Sequence, residues 1–280
     1  MTDWRLGTSS WSEPAWVGPF YPPGTPAGLF LPLYAARYRA VEADVTYYRL
    51  PSERLVRGWR EKLPEDFRLC AKFPRSVVHG GSGASPDPGR ILDHPEALAD
   101  AQRFIAAMAE LGGRAGPLLL QFPYFNQRAF AGPGPFLERL ERLLEALPPG
   151  PSLAVEVRNK AWIGPELLAL LRRRGVALAL VDLAYLPHPD EWPARLGGDP
   201  EALLSARFVY ARLIGDRQRT EAAAERFDRT VLDQGPRLER WAALLARLAP
   251  GVDEVYAFAN NHYAGYAPDT IDALARGLKL

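Results

Sequence analysis

The stretch SLAVEVRNKAWIGPELLALLRRRGVALALVD, residues 152–182, contains one complete strand–helix–strand unit. Its two ends, 152–158 and 176–182, are rich in Val, Leu and Ala, as strands buried in a parallel sheet are. Residues 165–174 between them carry a helical pattern, and Gly175 alone links this helix to the second strand. The stretch therefore predicts two parallel strands joined by a helix.

The same alternation continues along the whole chain. The pattern predicts strands over 4–9, 40–45, 67–73, 117–122, 152–158, 176–182, 207–213 and 253–260. It predicts helices over 26–38, 52–62, 95–111, 135–147, 165–174, 200–205, 236–248 and 268–278. Eight such units in about 250 residues are typical of a (β/α)₈ TIM-type barrel. We therefore expect residues 1–280 to form a single TIM-barrel domain of class α/β.

The lengths of the connections indicate where the functional site lies. Links from helix to strand are short, such as Arg39 alone or 148–151, whereas links from strand to helix are long, such as 10–25, 74–94 and 214–235. The long loops therefore gather at the carboxyl ends of the strands, which is the face that holds the active site in barrels. An open doubly wound sheet, the alternative fold, binds ligands at the same strand ends.

Side chains alternate in direction along a strand, so polar residues among apolar ones indicate the face they share. In the strand over 152–158, Leu153, Val155 and Val157 alternate with Ala154, Glu156 and Arg158, and the second set is expected to face the barrel axis. The same sorting across the other strands predicts a mouth lined by four acids (Glu42, Asp44, Glu156, Asp182), three bases (Lys72, Arg158, Arg212), and Gln121, Tyr210 and Asn260. Such a cluster is either a binding site or a structural ion-pair network.

The loops at the same end add aromatic, amide and imidazole groups. Trp11, Trp16 and Tyr47 are candidates for stacking on a base or a sugar, or they pack within their own loops. Asn260 and Asn261 begin the last loop and are candidates for orienting a ligand. The candidate general acids and bases are His79 and His262.

Composition excludes several classes of protein. The 280 residues have a net charge of +1, which argues against nucleic-acid binding driven by total charge, although a local basic patch stays open. The single cysteine, Cys70, excludes an intrachain disulfide and a thiolate metal cluster. No apolar run reaches the length of a membrane span, and the first residues show no secretion signal, so we expect a cytoplasmic protein without membrane partners. Histidine spacing matches no metal motif, and a metal site from the scattered His79, Glu156, Asp182 and His262 is only a weak alternative.

Seven segments together resemble the YecE-like family, also called domain of unknown function 72. The segments are 7–22 (GTSSWSEPAWVGPFYP), 41–52 (VEADVTYYRLPS), 71–79 (AKFPRSVVH), 116–123 (GPLLLQFP), 154–162 (AVEVRNKAW), 209–215 (VYARLIG) and 256–268 (YAFANNHYAGYAP). The resemblance implies a TIM-type barrel and carries no established activity. Two positions depart from the family pattern: Asp44 and Val45 replace the usual Asn and Ser, and Ile214 stands where the family often has His.

Three functional hypotheses follow. In the first, the protein is an enzyme, hydrolase- or lyase-like, whose bases Lys72, Arg158 and Arg212 hold an anionic or phosphorylated small molecule. Glu156 or Asp182 would then serve as general base, and His262 or His79 as general acid. The second hypothesis is a barrel that binds or processes nucleic acid, and the third is a metabolite-binding protein without turnover. The sequence leaves the cofactor and the oligomeric state undetermined.

Overall fold

Eight parallel strands form one sheet in the computed structural model, which describes residues 2–81, 83 and 85–280. The sheet order is β1-β8-β7-β6-β5-β4-β3-β2, so the strands follow one another around a barrel and β1 and β2 meet at its seam. The TIM-type barrel predicted from the sequence is therefore confirmed. The strands are β1 (Asp3–Thr8), β2 (Ala40–Ala43), β3 (Arg68–Lys72), β4 (Ala115–Gln121), β5 (Leu153–Glu156), β6 (Ala177–Leu183), β7 (Phe208–Gly215) and β8 (Glu254–Ala259).

Helices cover the outside of the barrel, and several short ones lie in the loops at the carboxyl ends of the strands. The α-helices are α1 (Phe30–Ala35), α2 (Val45–Tyr48), α3 (Glu53–Arg60), α4 (Arg75–Val78), α5 (Pro95–Ala109), α6 (Pro133–Ala146), α7 (Pro165–Arg174), α8 (Arg217–Ala223), α9 (Gly235–Leu248) and α10 (Ala267–Leu278). The 3₁₀ turns are Pro14–Trp16, Ala27–Leu29, Gly112–Arg114, Lys160–Trp162, Pro189–Arg195, Pro200–Leu203, Ala249–Gly251 and Asn261–Tyr263.

The strands agree with the sequence pattern within two residues at their ends, but two helix predictions need correction. The helix predicted over 26–38 is a 3₁₀ turn followed by the six residues of α1. The helix predicted over 200–205 is only the 3₁₀ turn Pro200–Leu203. The sequence analysis missed α2, α4 and α8, because helices of four to seven residues are too short to show a clear 3.6-residue period.

The helix α7 shows why the chain turns back into the sheet where it does. Glu166 lies in its first turn and three arginines lie in its last turn, so both ends oppose the helix dipole. Gly175 ends the helix at a φ of 63°, a left-handed conformation that glycine adopts without the steric cost of a side chain. The chain therefore enters β6 directly after the helix.

The inside of the barrel is filled by apolar side chains below and by one polar layer above them. The apolar part pairs small side chains on β2, β3, β5 and β6 with large aromatic ones on β7 and β8, including Ala40, Cys70, Ala154, Ala179, Tyr210 and Phe258. Two residues further along a strand, the side chain again points inward. The upper layer is therefore polar, and it consists of Glu42, Lys72, Gln121, Glu156, Arg212 and, just beyond β8, Asn260.

A buried tyrosine joins β1 to β2 at the seam. The hydroxyl of Tyr34 accepts a hydrogen bond from the backbone N–H of Thr8 at 2.7 Å and donates to the carbonyl of Ala40 at 3.2 Å. Gly7 makes this close approach possible, since a Cβ there would lie 1.9 Å from the carbonyl oxygen of Ala40. The seam therefore depends on one side-chain hydroxyl and one glycine.

We expect Tyr34→Phe to lower the free energy of unfolding by about 1–3 kcal/mol, because it leaves two buried backbone groups without a partner. Urea denaturation followed by circular dichroism measures this. Tyr124→Phe, at a side chain that is 59% exposed, is the control and should change stability by less than about 0.5 kcal/mol. Equal stability of the two variants would contradict a structural role for the Tyr34 hydroxyl.

Candidate functional site

The polar layer is held together by Arg212, which is 1% exposed on β7. Its Nε and Nη2 donate to the two carboxylate oxygens of Glu42 on β2, each at 2.8 Å. Its Nη1 donates to Oε2 of Glu156 on β5. Every nitrogen of the guanidinium is thus used within the protein, and one side chain links three strands across the barrel axis.

Two further cations complete the neutralisation of the buried carboxylates. The Nζ of Lys72 lies 3.4 Å from Oε1 of Glu42 and also pairs with Asp44. The Nε of Arg158 donates to Oε1 of Glu156 at 2.8 Å. With Arg212, the three bases therefore balance the charges of three acids, Glu42, Asp44 and Glu156.

Burial and pairing act in opposite directions on the two central carboxyls. Burial alone would raise the pKa of Glu42, but Arg212 and Lys72 outweigh it and lower the pKa to about 2. Burial likewise opposes ionisation of Glu156, and Arg212 and Arg158 outweigh it, so its pKa is also lowered. Burial raises the pKa of the Tyr210 hydroxyl, which stays protonated and donates to Glu42 at 2.8 Å.

A cavity of about 660 Å³ opens above this layer, and we call it the mouth cavity. Its floor includes Lys72, Gln121 and Arg212, and its walls come from the loops that follow β2, β6, β7 and β8. The full lining is Asp44, Tyr47, Tyr48, Lys72, Gln121, Arg158, Leu183, Ala184, Tyr185, Arg212, Ile214, Gly215, Asp216, Arg217, Gln218, Asn260 and His262. The size falls in the range of small-molecule sites.

His262 is the histidine that reaches the mouth cavity. It lies in the turn Asn261–Tyr263. Its ring packs edge-on against that of Phe227, with the two ring centroids 4.9 Å apart. Burial lowers its pKa, with Arg217 in the same direction and Glu221 opposing. The imidazole is therefore neutral near pH 7 and is able to accept a proton.

The position of Asp182 corrects a sequence prediction. We expected its side chain to face the barrel axis, but it points outward and binds α9, where Arg237 pairs with it and the Nε1 of Trp241 donates at 3.2 Å. The strand β6 is buried on both faces, so alternation gave no signal for which side is inward. Asp182 is a structural partner of α9.

Three other candidates also lie away from the expected place. His79, just after α4, is only 6% exposed. Trp11 packs edge-on against Trp59, with the two ring centroids 5.7 Å apart. Among the described residues, neither belongs to the lining of the mouth cavity. Trp16 is 1% exposed and packs between Phe20 and Tyr266, so it offers no open face for a stacking base.

Of the remaining amide and aromatic loop candidates, Tyr47 and Asn260 reach the mouth cavity. Tyr47 lies on α2 beneath the guanidinium of Arg75, whose Cζ is 5.9 Å from the ring centroid. Asn260 lies at the cavity wall and its Oδ1 accepts from the backbone N–H of His262 at 3.0 Å. Asn261 instead lines a smaller neighbouring cavity. Ile214, where the family pattern often has His, lines the mouth cavity.

Sequence reasoning missed several residues of the lining. Tyr185 follows β6, and Asp216 and Gln218 follow β7, in long loops where no periodic pattern indicates direction. Tyr185 lies against Arg158: burial raises the pKa of its hydroxyl, and Arg158 opposes that shift. The only available signal was their position just after a strand, which is shared by many loop residues.

The described residues hold neither a cluster of metal ligands nor a helix able to span a membrane. Groups of three or more His, Cys, Asp or Glu side chains placed to hold a metal ion are absent there, so His79, Glu156, Asp182 and His262 do not come together. In the same part of the chain, no helix combines the length and the apolar character that crossing a bilayer requires.

We expect Arg212→Met to destabilise the protein by about 3–5 kcal/mol, because it leaves two buried carboxylates without their shared partner. The control is Arg207→Met, which removes an equally bidentate pair with Asp253 from a position that is fully exposed to solvent. Solvent screens exposed pairs, so Arg207→Met should destabilise the protein much less. Urea denaturation compares the two, and similar losses would contradict the central role of Arg212.

The lowered pKa of Glu42 predicts how stability depends on pH. The folded state holds this carboxyl ionised down to about 2, against an ordinary value of 4.5, so its contribution is complete above pH 4.5 and is lost as the pH falls towards 2. We expect thermal unfolding temperatures to fall steeply across this window. Glu42→Gln should be less stable at pH 7 and should show a shallower fall; an unchanged slope would contradict this assignment.

Comparison with known proteins identifies the family. Residues 5–280 match the family described as "Protein of unknown function DUF72". The chain is 30% identical over 230 residues to the UPF0759 protein YecE of Escherichia coli K12. The matched segment covers 77% of this chain and 75% of YecE.

Solved structures agree with this assignment. A DUF72 family protein from Thermotoga maritima has a TM-score of 0.73 and 28% identity, covering 99% of this chain and 100% of that one. Another from Enterococcus faecalis has a TM-score of 0.70 and 19% identity, covering 99% and 96%. At 19% identity the likeness shows the fold, whereas the match over residues 5–280 shows the family. The chain is a TIM-barrel member of the DUF72 family.

Proposed function

We propose that this protein is an enzyme, hydrolase- or lyase-like, that binds a small anionic or phosphorylated molecule in the mouth cavity. The observation that carries the proposal is the state of Arg158. Among the hydrogen bonds of the described residues it makes one, from Nε to Glu156, and its side chain lines the cavity and is 22% exposed. Its terminal nitrogens have no carboxylate partner; the Tyr185 hydroxyl lies beside the guanidinium, and a ligand anion would displace this neutral group.

The contrast with Arg212 supports this role. Arg212 has all its nitrogens on Glu42 and Glu156, so it neutralises the floor and adds little to ligand binding. Arg158 has only one carboxylate partner, and a guanidinium edge matches the two oxygens of a phosphate or carboxylate. Glu156 is then a positioning residue, because it binds Nε of Arg158 and leaves the two terminal nitrogens of the guanidinium for the ligand.

A second cation lines the cavity from the loop after β7. Arg217, at the start of α8, lines the cavity with a side chain that is 73% exposed, and its Nε donates to Glu221 at 2.8 Å. A ligand between Arg158 and Arg217 would meet guanidinium groups from two loops. This arrangement supports an anionic group at that place, although the floor itself is neutral overall.

His262 is the proposed general acid–base group. It lines the same cavity, its pKa is lowered by burial, and its neutral ring is suited to proton transfer near pH 7. His79 and Asp182, the other candidates, are held in packed positions outside the cavity lining. The proposal therefore assigns anion binding to Arg158 with Arg217, and proton transfer to His262.

The test measures binding of inorganic phosphate and of a panel of phosphorylated metabolites by isothermal titration calorimetry. We expect Arg158→Gln to weaken phosphate binding by about tenfold or more, because a charge-assisted hydrogen bond contributes about 1.5–3 kcal/mol. Arg103→Gln is the matched control, since Arg103 is an exposed arginine on α5 with an acidic partner, Asp100. Equal binding by both variants would overturn the assignment of Arg158.

Turnover separates the enzyme from the alternatives. For any ligand of the panel that is converted, His262→Asn should abolish product formation while the ligand still binds measurably. Binding without turnover would favour the metabolite-binding protein. Tyr48 and Tyr185, which are 72% and 57% exposed at the rim, suit stacking of nucleotide bases. Salt-sensitive binding of single-stranded oligonucleotides that Tyr48→Ala weakens, with no binding of phosphate, would favour the nucleic-acid hypothesis.

A further inference from the structure

A second, smaller cavity adjoins the mouth cavity, and we call it the side cavity. It lies where the loop after β1 meets the loop after β8, and its volume is about 220 Å³. Asp44, Asn260 and His262 line both cavities, so the two share a wall. At about 30 Å³ per water in the liquid, the space holds roughly seven waters, or one small ring-shaped molecule in their place.

Three residues that line the side cavity carry polar atoms that the fold itself does not satisfy. Ser9 Oγ, Trp16 Nε1 and His262 Nδ1 are all buried, and within the described part of the chain none has a hydrogen-bond partner. Ser9 and Trp16 are only 3% and 1% exposed, so bulk solvent does not compensate them. Unpaired buried polar atoms are costly, and three on the residues that line one cavity favour a polar occupant that reaches them.

The hydrogen-bonding pattern around the cavity is mixed. Asn260 and Asn261 each use Oδ1 to accept from a backbone N–H, that of His262 and of Ala267 respectively, both at 3.0 Å. This leaves both amide NH₂ groups as donors. The Nε1 of Trp16 also only donates, whereas the carboxylate of Glu13 only accepts.

The charges at this wall differ from those of the mouth cavity. Two carboxylates border the side cavity, Glu13 and Asp44. Lys72 pairs with Asp44, whereas Glu13 has no salt bridge among the described residues. The one ionisable base among the described lining residues is His262, whose pKa burial lowers. An anionic group would therefore meet repulsion here. A hydroxyl group both donates and accepts, so a neutral molecule carrying several hydroxyls matches these donors and acceptors. Phe227, which also lines the side cavity, is the apolar contact for its carbon side.

We propose that the side cavity is a second ligand subsite, which holds a neutral, hydroxyl-rich group of the size of one sugar ring. Because the two cavities share a wall, one ligand spans both, with its sugar in the side cavity and its anionic group at Arg158. This second part rests on the function proposed above. The substrate class is then a phosphorylated or otherwise anionic sugar.

The test compares two buried serines. Ser9→Ala removes an unpaired hydroxyl, so it should leave the unfolding temperature unchanged or raise it, while weakening sugar binding about 3–10-fold. Ser205→Ala is the matched control: Ser205 is 7% exposed and accepts from the N–H of Leu178 at 2.8 Å, far from the cavity. It should lower stability and leave sugar binding unchanged.

The probes are D-ribose, D-xylose, D-glucose and D-fructose, with ribose 5-phosphate and inorganic phosphate, measured by ligand-observed NMR at about 10 mM, ten times a millimolar dissociation constant. Binding of a neutral sugar that Ser9→Ala weakens and Ser205→Ala does not supports the subsite. No sugar binding, or equal binding by Ser9→Ala and the wild type, overturns it. If the sugar binds but the phosphate ester gains nothing that Arg158→Gln removes, the function proposed above fails and the subsite stands.

Discussion

The pairing of Arg212 with Glu42 and Glu156 is the interaction on which the rest of the mouth depends. Taking one charge from water into a barrel interior is unfavourable by several kcal/mol unless partners neutralise it. Here the carboxylates come from β2 and β5, and the guanidinium comes from β7 between them. Once these three groups are buried together, Lys72 and Arg158 are drawn to the same carboxylates. The floor is therefore rigid and close to neutral.

This neutral floor explains why the two cavities above it differ in character. An anion is favoured beside cations that the carboxylates of the floor do not neutralise fully. These cations are Arg158, whose terminal nitrogens have no carboxylate partner, and the exposed Arg217. The side cavity lies on the far side of Asp44, where carboxylates outnumber bases and amide donors dominate. A single ligand with one anionic end and one hydroxyl-rich end would satisfy both environments. Because the two cavities share a wall, the anionic end of such a ligand would lie in the mouth cavity and its hydroxyl-rich end in the side cavity.

Much of the barrel and of its polar layer can be predicted from the sequence, because side chains alternate in direction along a strand. Where a strand carries polar residues on one face, as β5 does with Glu156, alternation separates the inward face from the outward one. Where both faces are apolar, as in β6, this signal vanishes, and the direction of Asp182 was predicted wrongly. The loops are harder still, because neither Trp16 nor Tyr185 belongs to a periodic element, and their burial depends on what packs over them.

By itself the sequence determined the eight strand–helix units, the end at which the long loops gather, and the charged residues that meet inside the barrel. Local periodicity and connection length are sufficient for these, since each depends on residues close together in the chain. Only the tertiary structure decided which charges neutralise one another and which stay free. Arg158 and Arg212 look alike in sequence. In the structure, Arg212 binds two carboxylates with all its nitrogens, whereas Arg158 binds one carboxylate through Nε alone. That difference arises from distances between strands more than fifty residues apart, which no local pattern encodes.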